Sequence, residues 1–289
     1  GTRHRVLRCD IPSLLQLLPE AVEAKDLPGM ADVDSSLLYF CRKVAERHTV
    51  ALSGECADEV FGGYPWFERS ELLEADTFPW CPDLEFRRAV VKPELWESLQ
   101  VEDYVQARYQ QSLAEMPALP GEALWERRRR EVGWLSLNWF MSTLLDRKDR
   151  MSMWSGLEVR VPFCDHHLVE YVWNIPWAMK AMNGQRKQVL RDAAEGLLPE
   201  ELLRRPKSPY PKTHDPLYEQ LVRARLLTIL DDRDAPIHSL VDEKALRAGL
   251  LSDAGDYGKP WFGQLMAGPQ MLAYLIQINE WMSRYHLTV

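Results

Sequence analysis

The stretch from Thr49 to Tyr64, T-V-A-L-S-G-E-C-A-D-E-V-F-G-G-Y, constrains the fold more than any other part of the chain. Val50-Ala51-Leu52 is a short apolar run of the kind that forms a buried strand. Ser53-Gly54 stops it, the carboxylates Glu55, Asp58 and Glu59 follow within five positions, and Gly62-Gly63 closes the unit. In open α/β sheets, ligands sit at the carboxyl ends of the strands. Acid groups at such a tip, beside a glycine turn, suit a magnesium-bound polyphosphate better than a bare anion. A solvated acidic turn after an ordinary strand is the plainer alternative.

The rest of the composition narrows the class. A chain of 289 residues can bury a substantial core in one or two domains. A formal charge of −8 argues against a general nucleic-acid binder. The eleven tryptophans are scattered from Trp66 to Trp281 and do not form a stacking platform. No apolar run reaches membrane-spanning length, and no signal peptide is visible. Cys9, Cys41, Cys56, Cys81 and Cys164 are odd in number and lack metal-ligand spacing. They read as reduced, mostly buried cysteines of a cytoplasmic protein. Residue 1 is Gly, so a processed or partial chain is expected.

In chain order, His4–Cys9 alternates as a strand would, and Asp10 is placed to cap a helix with Pro12 in its first turn. Asp34 or Ser35 is expected to cap the next helix, with Leu37, Leu38, Cys41, Val44 and Ala45 at helical spacing. His48–Leu52 is the second strand, and a parallel crossover between the two strands is the natural topology. After Tyr64 the chain reads as helical with proline-punctuated joints. The run Arg127–Arg130 is either a phosphate patch or a solvated helix face balanced by Glu122, Glu126 and Glu131. The segment Leu157–Asp165, L-E-V-R-V-P-F-C-D, alternates so that Glu158 and Arg160 share one side. That pair is either a structural ion pair or a ligand contact. Lys207, between Pro206 and Ser208-Pro209, lies on a stiff, non-helical stretch. The segment Pro211–Pro216 suggests a turn. Residues 271–285 form an amphipathic helix, read as packing, with an oligomer face as the alternative. His166-His167 lack partners at ligand spacing and read as structural.

Three motif blocks carry a resemblance. S-G-E-C-A-D-E-V-F-G-G-Y resembles the S-G-E-G-S-D-E-V-F-G-G-Y segment of the synthetase domain of glutamine-dependent asparagine synthetases. Cys56 stands for the family's glycine, forgoing its freedom at positive φ, and Ala57 stands for its serine. Asp149, Ser152, Met153, Glu158, Arg160, Pro162, Phe163 and Asp165 match D-x-x-S-M-A-x-x-x-E-x-R-x-P-F-x-D, with Trp154 where alanine is usual. Lys187, Leu190, Arg191, Ala193, Leu198, Pro199, Arg205 and Lys207 match K-x-x-L-R-x-A-x-x-x-x-L-P-x-x-I-x-x-R-x-K.

The resemblance implies an α/β fold: a parallel-sheet, PP-loop (adenine nucleotide α-hydrolase-like) region over residues 1–64, followed by a mainly helical remainder over 65–289. It implies an ATP-dependent carbon–nitrogen ligase that adenylates the side-chain carboxylate of aspartate, releases pyrophosphate and lets ammonia from glutamine displace AMP. The implied cofactors are ATP and Mg²⁺. By carry-over, Asp58 ligates magnesium, Lys207 stabilises the phosphates, and Ser53 and Gly54 line the nucleotide site. Glu55 steers adenylate formation and takes a proton, and Asp149 sits near the aminoacyl substrate. Two family parts do not occur in these residues: the pyrophosphate-binding S-G-G-x-D-S loop and the N-terminal glutaminase domain. The chain alone is therefore expected to hold only part of an active site, and both parts are expected in the full-length protein. By the same analogy His4–Cys9 is the third strand of the sheet. The alternatives are an amidotransferase for another carboxylate, or a non-catalytic subunit of the same fold. A homodimer is a further partner.

Overall fold

The computed structural model describes residues 3–82, 84–117, 119–181, 184–208, 210, 213, 215–249 and 260–289. Val50–Leu52 forms strand β1 and Glu158–Arg160 forms strand β2, paired in parallel with Val50, Ala51 and Leu52 opposite Glu158, Val159 and Arg160. Backbone bonds from Glu158 N to Thr49 O and from Ser53 N to Arg160 O, each 2.9 Å, extend the ladder at both ends. Among the described residues this is the whole sheet, and the molecule is otherwise mostly helical.

Two strand expectations are corrected. Residues 3–10 adopt no regular structure. An alternating sequence becomes a strand only where a neighbouring edge accepts its backbone hydrogen bonds, and β1 takes β2 as its parallel partner, not His4–Cys9. Nor is β1 buried on both faces: Leu52 is 75 % exposed and Val50 41 %. Period-two alternation sends only Ala51 and Val159 inward, against Leu37, Leu38, Cys41, Met151 and Leu157. On the outer face Arg160 Nε donates to Glu158 Oε1 at 2.7 Å, so those two charges pair with each other.

Asp10 caps the first helix, Ile11–Gln16, by accepting Ser13 N at 2.8 Å. The chain breaks at Leu17 and resumes as Leu18–Lys25, with Pro19 in its first turn, where a missing N–H costs nothing. The next helix, Asp32–Ala45, starts earlier than its spacing suggested, with Ala31 at the cap position. Asp34 reaches back from inside the first turn to accept Met30 N at 2.7 Å.

Helices Pro216–Asp231 and Gly268–Tyr285 pack on each other and on the amino-terminal helices. Their core joins Leu14, Leu18, Met30 and Val33 to Tyr218, Leu226, Met271 and Leu275, and so runs across residue 64. The apolar face of Gly268–Tyr285 is spent on this core: Met271, Leu272, Leu275, Ile276 and Met282 are all buried. Helices Leu124–Leu135 and Ser142–Trp154 are joined by a π turn, Ser136–Met141, with helical backbone at both joints. A second core of Tyr64, Trp66, Trp80 and Phe140 packs on that turn. Among the described residues no helix is long and apolar enough to cross a membrane.

Candidate active site

The turn after β1 leads into a short helix, Ala57–Phe61. Cys56 enters it at φ +72°, the left-handed conformation that glycine adopts freely, and Gly62 leaves it at φ +72°. This compact turn places Asp58 between two lysines from distant segments. Lys187 Nζ lies 2.8 Å from Asp58 Oδ1 and Lys207 Nζ 3.1 Å from Asp58 Oδ2. Lys187 sits at φ +57°, just before the helix Gln188–Ala193. Lys207 lies on a stretch without regular structure; its neighbour Pro209, and Pro211, Lys212 and His214 of the expected turn, lie outside the described residues. The Lys207 ammonium also contacts Gln264 Oε1 at 3.4 Å and sits 4.3 Å over the Tyr64 ring. Burial lowers its pKa, against the pull of Asp58.

Gly63 makes this arrangement possible. A Cβ there would stand 1.8 Å from Asp58 Oδ1 and 2.9 Å from Lys187 Cε, whereas one on Gly54 would meet nothing within 4 Å. Gly63→Ala is expected to destabilise by about 1–3 kcal/mol through overpacking, and Gly54→Ala to stay within about 0.5 kcal/mol. Urea denaturation of the two variants side by side checks this; equal midpoints would show that the turn relaxes freely.

Behind Asp58, Tyr64 OH donates to Glu59 Oε1 at 2.7 Å. Glu59 is 3 % exposed. Burial raises its pKa from 4.5 to about 7, with the Tyr64 bond opposing. A carboxyl whose folded pKa is raised stabilises the fold below its unfolded value and loses that contribution as pH rises through about 7. Stability should therefore fall between about pH 4.5 and 7 by on the order of 3 kcal/mol from this group. Glu59→Gln should flatten that part of the profile, and an unchanged slope in pH-dependent denaturation would contradict it.

Glu55 takes different partners. Its Oε1 lies 3.3 Å from Lys148 Nζ and 3.7 Å from Arg147 Nη2, while its buried Oε2 has no hydrogen-bond partner. Arg147 is 3 % exposed and also faces Asp34, Nε to Oδ1 3.8 Å. Asp149 follows these two cations in sequence but is exposed, with no ion pair among the described residues. A helix turns about 100° per residue, so 147 and 148 can face the turn while 149 does not. Ser53 is fixed by its backbone bond to Arg160, and Gly54 is exposed beside it.

Of the residues singled out in the sequence, the fold therefore brings Lys207 onto Asp58, keeps Glu55 on the same turn with other cations, and leaves Asp149 apart. Sequence reasoning passed over Lys187, Arg147, Lys148, Tyr64 and Gln264 as site residues. Lys187 opens the third motif block, and the cationic run R-K-D-R at 147–150 was the available signal for Arg147 and Lys148. Arg127–Arg130 is a helix face balanced by Glu122 and Glu131 rather than a free patch, with Arg127 exposed and the other three partly buried. Arg127 and Arg128 pair with Glu131, Arg130 pairs with Glu122, and Arg128 also donates to Tyr109 OH at 3.0 Å.

Among the described residues there is no group of three His, Cys, Asp or Glu side chains able to hold a metal ion. One or two carboxylates with cations around them are instead the donor set of a magnesium that draws its other ligands from phosphate and water. Asp58, whose Oδ1 makes no hydrogen bond although Lys187 Nζ stands 2.8 Å away, fits that group. The five cysteines are free; Cys41 and Cys56 are buried and the others half-buried. Burial, then the neighbouring Cys164, pushes the Cys56 thiol far up, so it stays protonated.

Comparison with known proteins bears on this geometry. The family model described as asparagine synthase matches residues 1–283. The chain is 49 % identical over 289 residues to asparagine synthetase (glutamine-hydrolyzing) 3 of Bacillus subtilis strain 168, a match covering 100 % of this chain and 47 % of that protein. It is 30 % identical over 226 residues to asparagine synthetase (glutamine-hydrolyzing) 1 of the same organism, covering 67 % of this chain and 35 % of that one. It is also 30 % identical over 244 residues to a putative asparagine synthetase (glutamine-hydrolyzing) of Mycobacterium tuberculosis, covering 73 % and 37 %. The chain spans about half the length or less of these curated relatives.

Proposed function

Because the chain belongs to the asparagine synthase family, we propose that it carries the ATP-dependent synthetase chemistry of a glutamine-hydrolysing asparagine synthetase. The observation that supports this most is Asp58 held between Lys187 and Lys207, 2.8 and 3.1 Å from its two oxygens. Two ammonium groups and an acid at a strand tip suit a polyphosphate that arrives with a divalent cation.

In this reading the side-chain carboxylate of aspartate attacks the α-phosphorus of ATP, pyrophosphate leaves, and ammonia then attacks the acyl carbon and expels AMP. Carboxylate and triphosphate repel, so the first step needs positive charge that is already in place. Lys207 and Lys187 supply it by passing from Asp58 to the phosphates. Asp58, with Glu55 nearby, would hold magnesium, which would add charge neutralisation on the phosphates. Glu55 offers its unpartnered Oε2 to the proton lost by the attacking ammonia, while Lys148 and Arg147 fix the other oxygen. Gly54 leaves open space beside Ser53 for the nucleotide to approach the backbone. The S-G-G-x-D-S loop and the glutaminase unit that releases ammonia are supplied outside residues 1–289.

The test is to express the polypeptide with whatever precedes residue 1 in its gene and supply Mg-ATP, L-aspartate and ammonium. The expected products are asparagine, AMP and pyrophosphate in equal amounts. ATP consumed to ADP, or not consumed at all, overturns the reading.

A further inference from the structure

A cavity of about 380 Å³ is lined by Glu59, Arg129, Trp173, Trp177 and Lys180 among others. Its size falls within the usual range for small-molecule sites, about 300–1,000 Å³. Three of its polar groups are not satisfied by the protein. Lys180 is 8 % exposed and has neither a hydrogen bond nor an ion pair among the described residues. Desolvation alone lowers its pKa to about 8. Arg129 has a buried Nε without a hydrogen bond, although its Nη1 donates to Trp125 O at 3.1 Å. Glu59 has a buried Oε2 without a partner.

The other charges lining the cavity do not answer these. Arg130 and Glu122 neutralise each other through two contacts of 2.8 Å. Glu126 also lines the cavity but makes no ion pair with Lys180 or Arg129 among the described residues. The aromatic groups are held in fixed places: Trp177 stacks on Phe67 at 4.9 Å between centroids, and Arg129 sits 5.8 Å from the Trp177 ring. Arg129 Nε and Glu59 Oε2 are buried polar atoms without a partner, which is costly, and a fold that keeps them gains from a ligand that completes them.

We propose that this cavity binds a free α-amino acid with an apolar side chain, its carboxylate on Lys180 and Arg129, its ammonium on Glu59, and its side chain against Trp173 and Trp177. Two cations, Lys180 and Arg129, stand open in this cavity with two carboxylates, Glu59 and Glu126, a set that can hold both ends of a zwitterion, and the tryptophans favour an apolar body over a further charge. The Glu59–Tyr64 hydrogen bond, with Tyr64 under Lys207, ties this cavity to the polyphosphate cluster, so occupancy can be felt there. The inference does not depend on the reaction proposed above.

The test is calorimetric titration of the polypeptide expressed with whatever precedes residue 1 in its gene, using L-phenylalanine, 3-phenylpropionate and phenethylamine, in parallel with Mg-ATP. L-Phenylalanine should bind saturably at one site, and each analogue lacking one charged end should bind at least tenfold more weakly. Lys180→Met should weaken L-phenylalanine at least tenfold and leave Mg-ATP affinity unchanged. Glu59→Gln is the second variant, and should weaken L-phenylalanine while leaving 3-phenylpropionate unaffected. Absence of L-phenylalanine binding, binding unchanged in Lys180→Met, or displacement by saturating Mg-ATP each overturns the proposal. Failure of the synthetase reading would show instead in the ATP products, with this binding intact.

Discussion

Lys207→Ala is expected to slow pyrophosphate release from ATP by about 10²–10³-fold, the effect of removing one group aimed at developing charge, with little change in stability. The asymmetry follows from the surroundings of the lysine. Its ammonium is largely desolvated, with its side chain 13 % exposed, so truncation relieves a burial penalty as well as losing the 3.1 Å contact to Asp58. Asp58 keeps Lys187 at 2.8 Å, so no carboxylate is left uncompensated. The stability change should stay within about 1 kcal/mol. Initial rates of pyrophosphate formation, set beside thermal melting of the same samples, separate the two effects. A variant as fast as the parent would take Lys207 out of the phosphate site. A variant that simply unfolded would make it a structural cation.

Arg147→Leu should act in the opposite way, costing about 3–5 kcal/mol of stability, as breaking a buried charge cluster does. Arg147 is 3 % exposed and Asp34 1 %, and the guanidinium faces both Asp34 and Glu55 while lying 5.7 Å over the Tyr210 ring. Leucine fills much of the space but leaves Asp34 Oδ1 buried with no positive charge beside it. Glu55 retains Lys148 at 3.3 Å, so the damage concentrates on Asp34. Urea denaturation of Arg147→Leu and of the double variant with Asp34→Asn measures this. The double variant should recover part of the loss, because the stranded charge is gone. A single-variant loss below about 1 kcal/mol would mean that the Arg147–Asp34 pair carries little of the fold's stability.

Local rules written in a few consecutive residues carried well into the structure. Asp10 before Ile11-Pro12 reads as a helix cap and is one. Alternation in Leu157–Asp165 puts Glu158 and Arg160 on a common side, and they meet there. Val50-Ala51-Leu52 carries no such alternation: its apolar run suggested burial on both faces, while Leu52 stands mostly exposed. Hydrophobicity says what a residue gains by burial; which face the rest of the chain covers is a separate matter. His4–Cys9 fails as a strand for a related reason, since a strand is a property of two segments, and one segment cannot announce its partner.

The candidate site divides along the same line. The chain by itself settled the turn: small residues at 53 and 54, a glycine pair at 62 and 63, and acids at 55, 58 and 59, because backbone sterics and charge are local. It also carried the three motif blocks that place it in its family. Only the tertiary structure decided which cations meet which acids. Lys187 and Lys207 reach Asp58 across more than a hundred residues, through a gap that exists because Gly63 has no Cβ. Arg147 and Lys148 claim Glu55, while Asp149, next in sequence, faces away. Helix rotation and the packing of distant elements set those pairings, and no nearest-neighbour rule contains them.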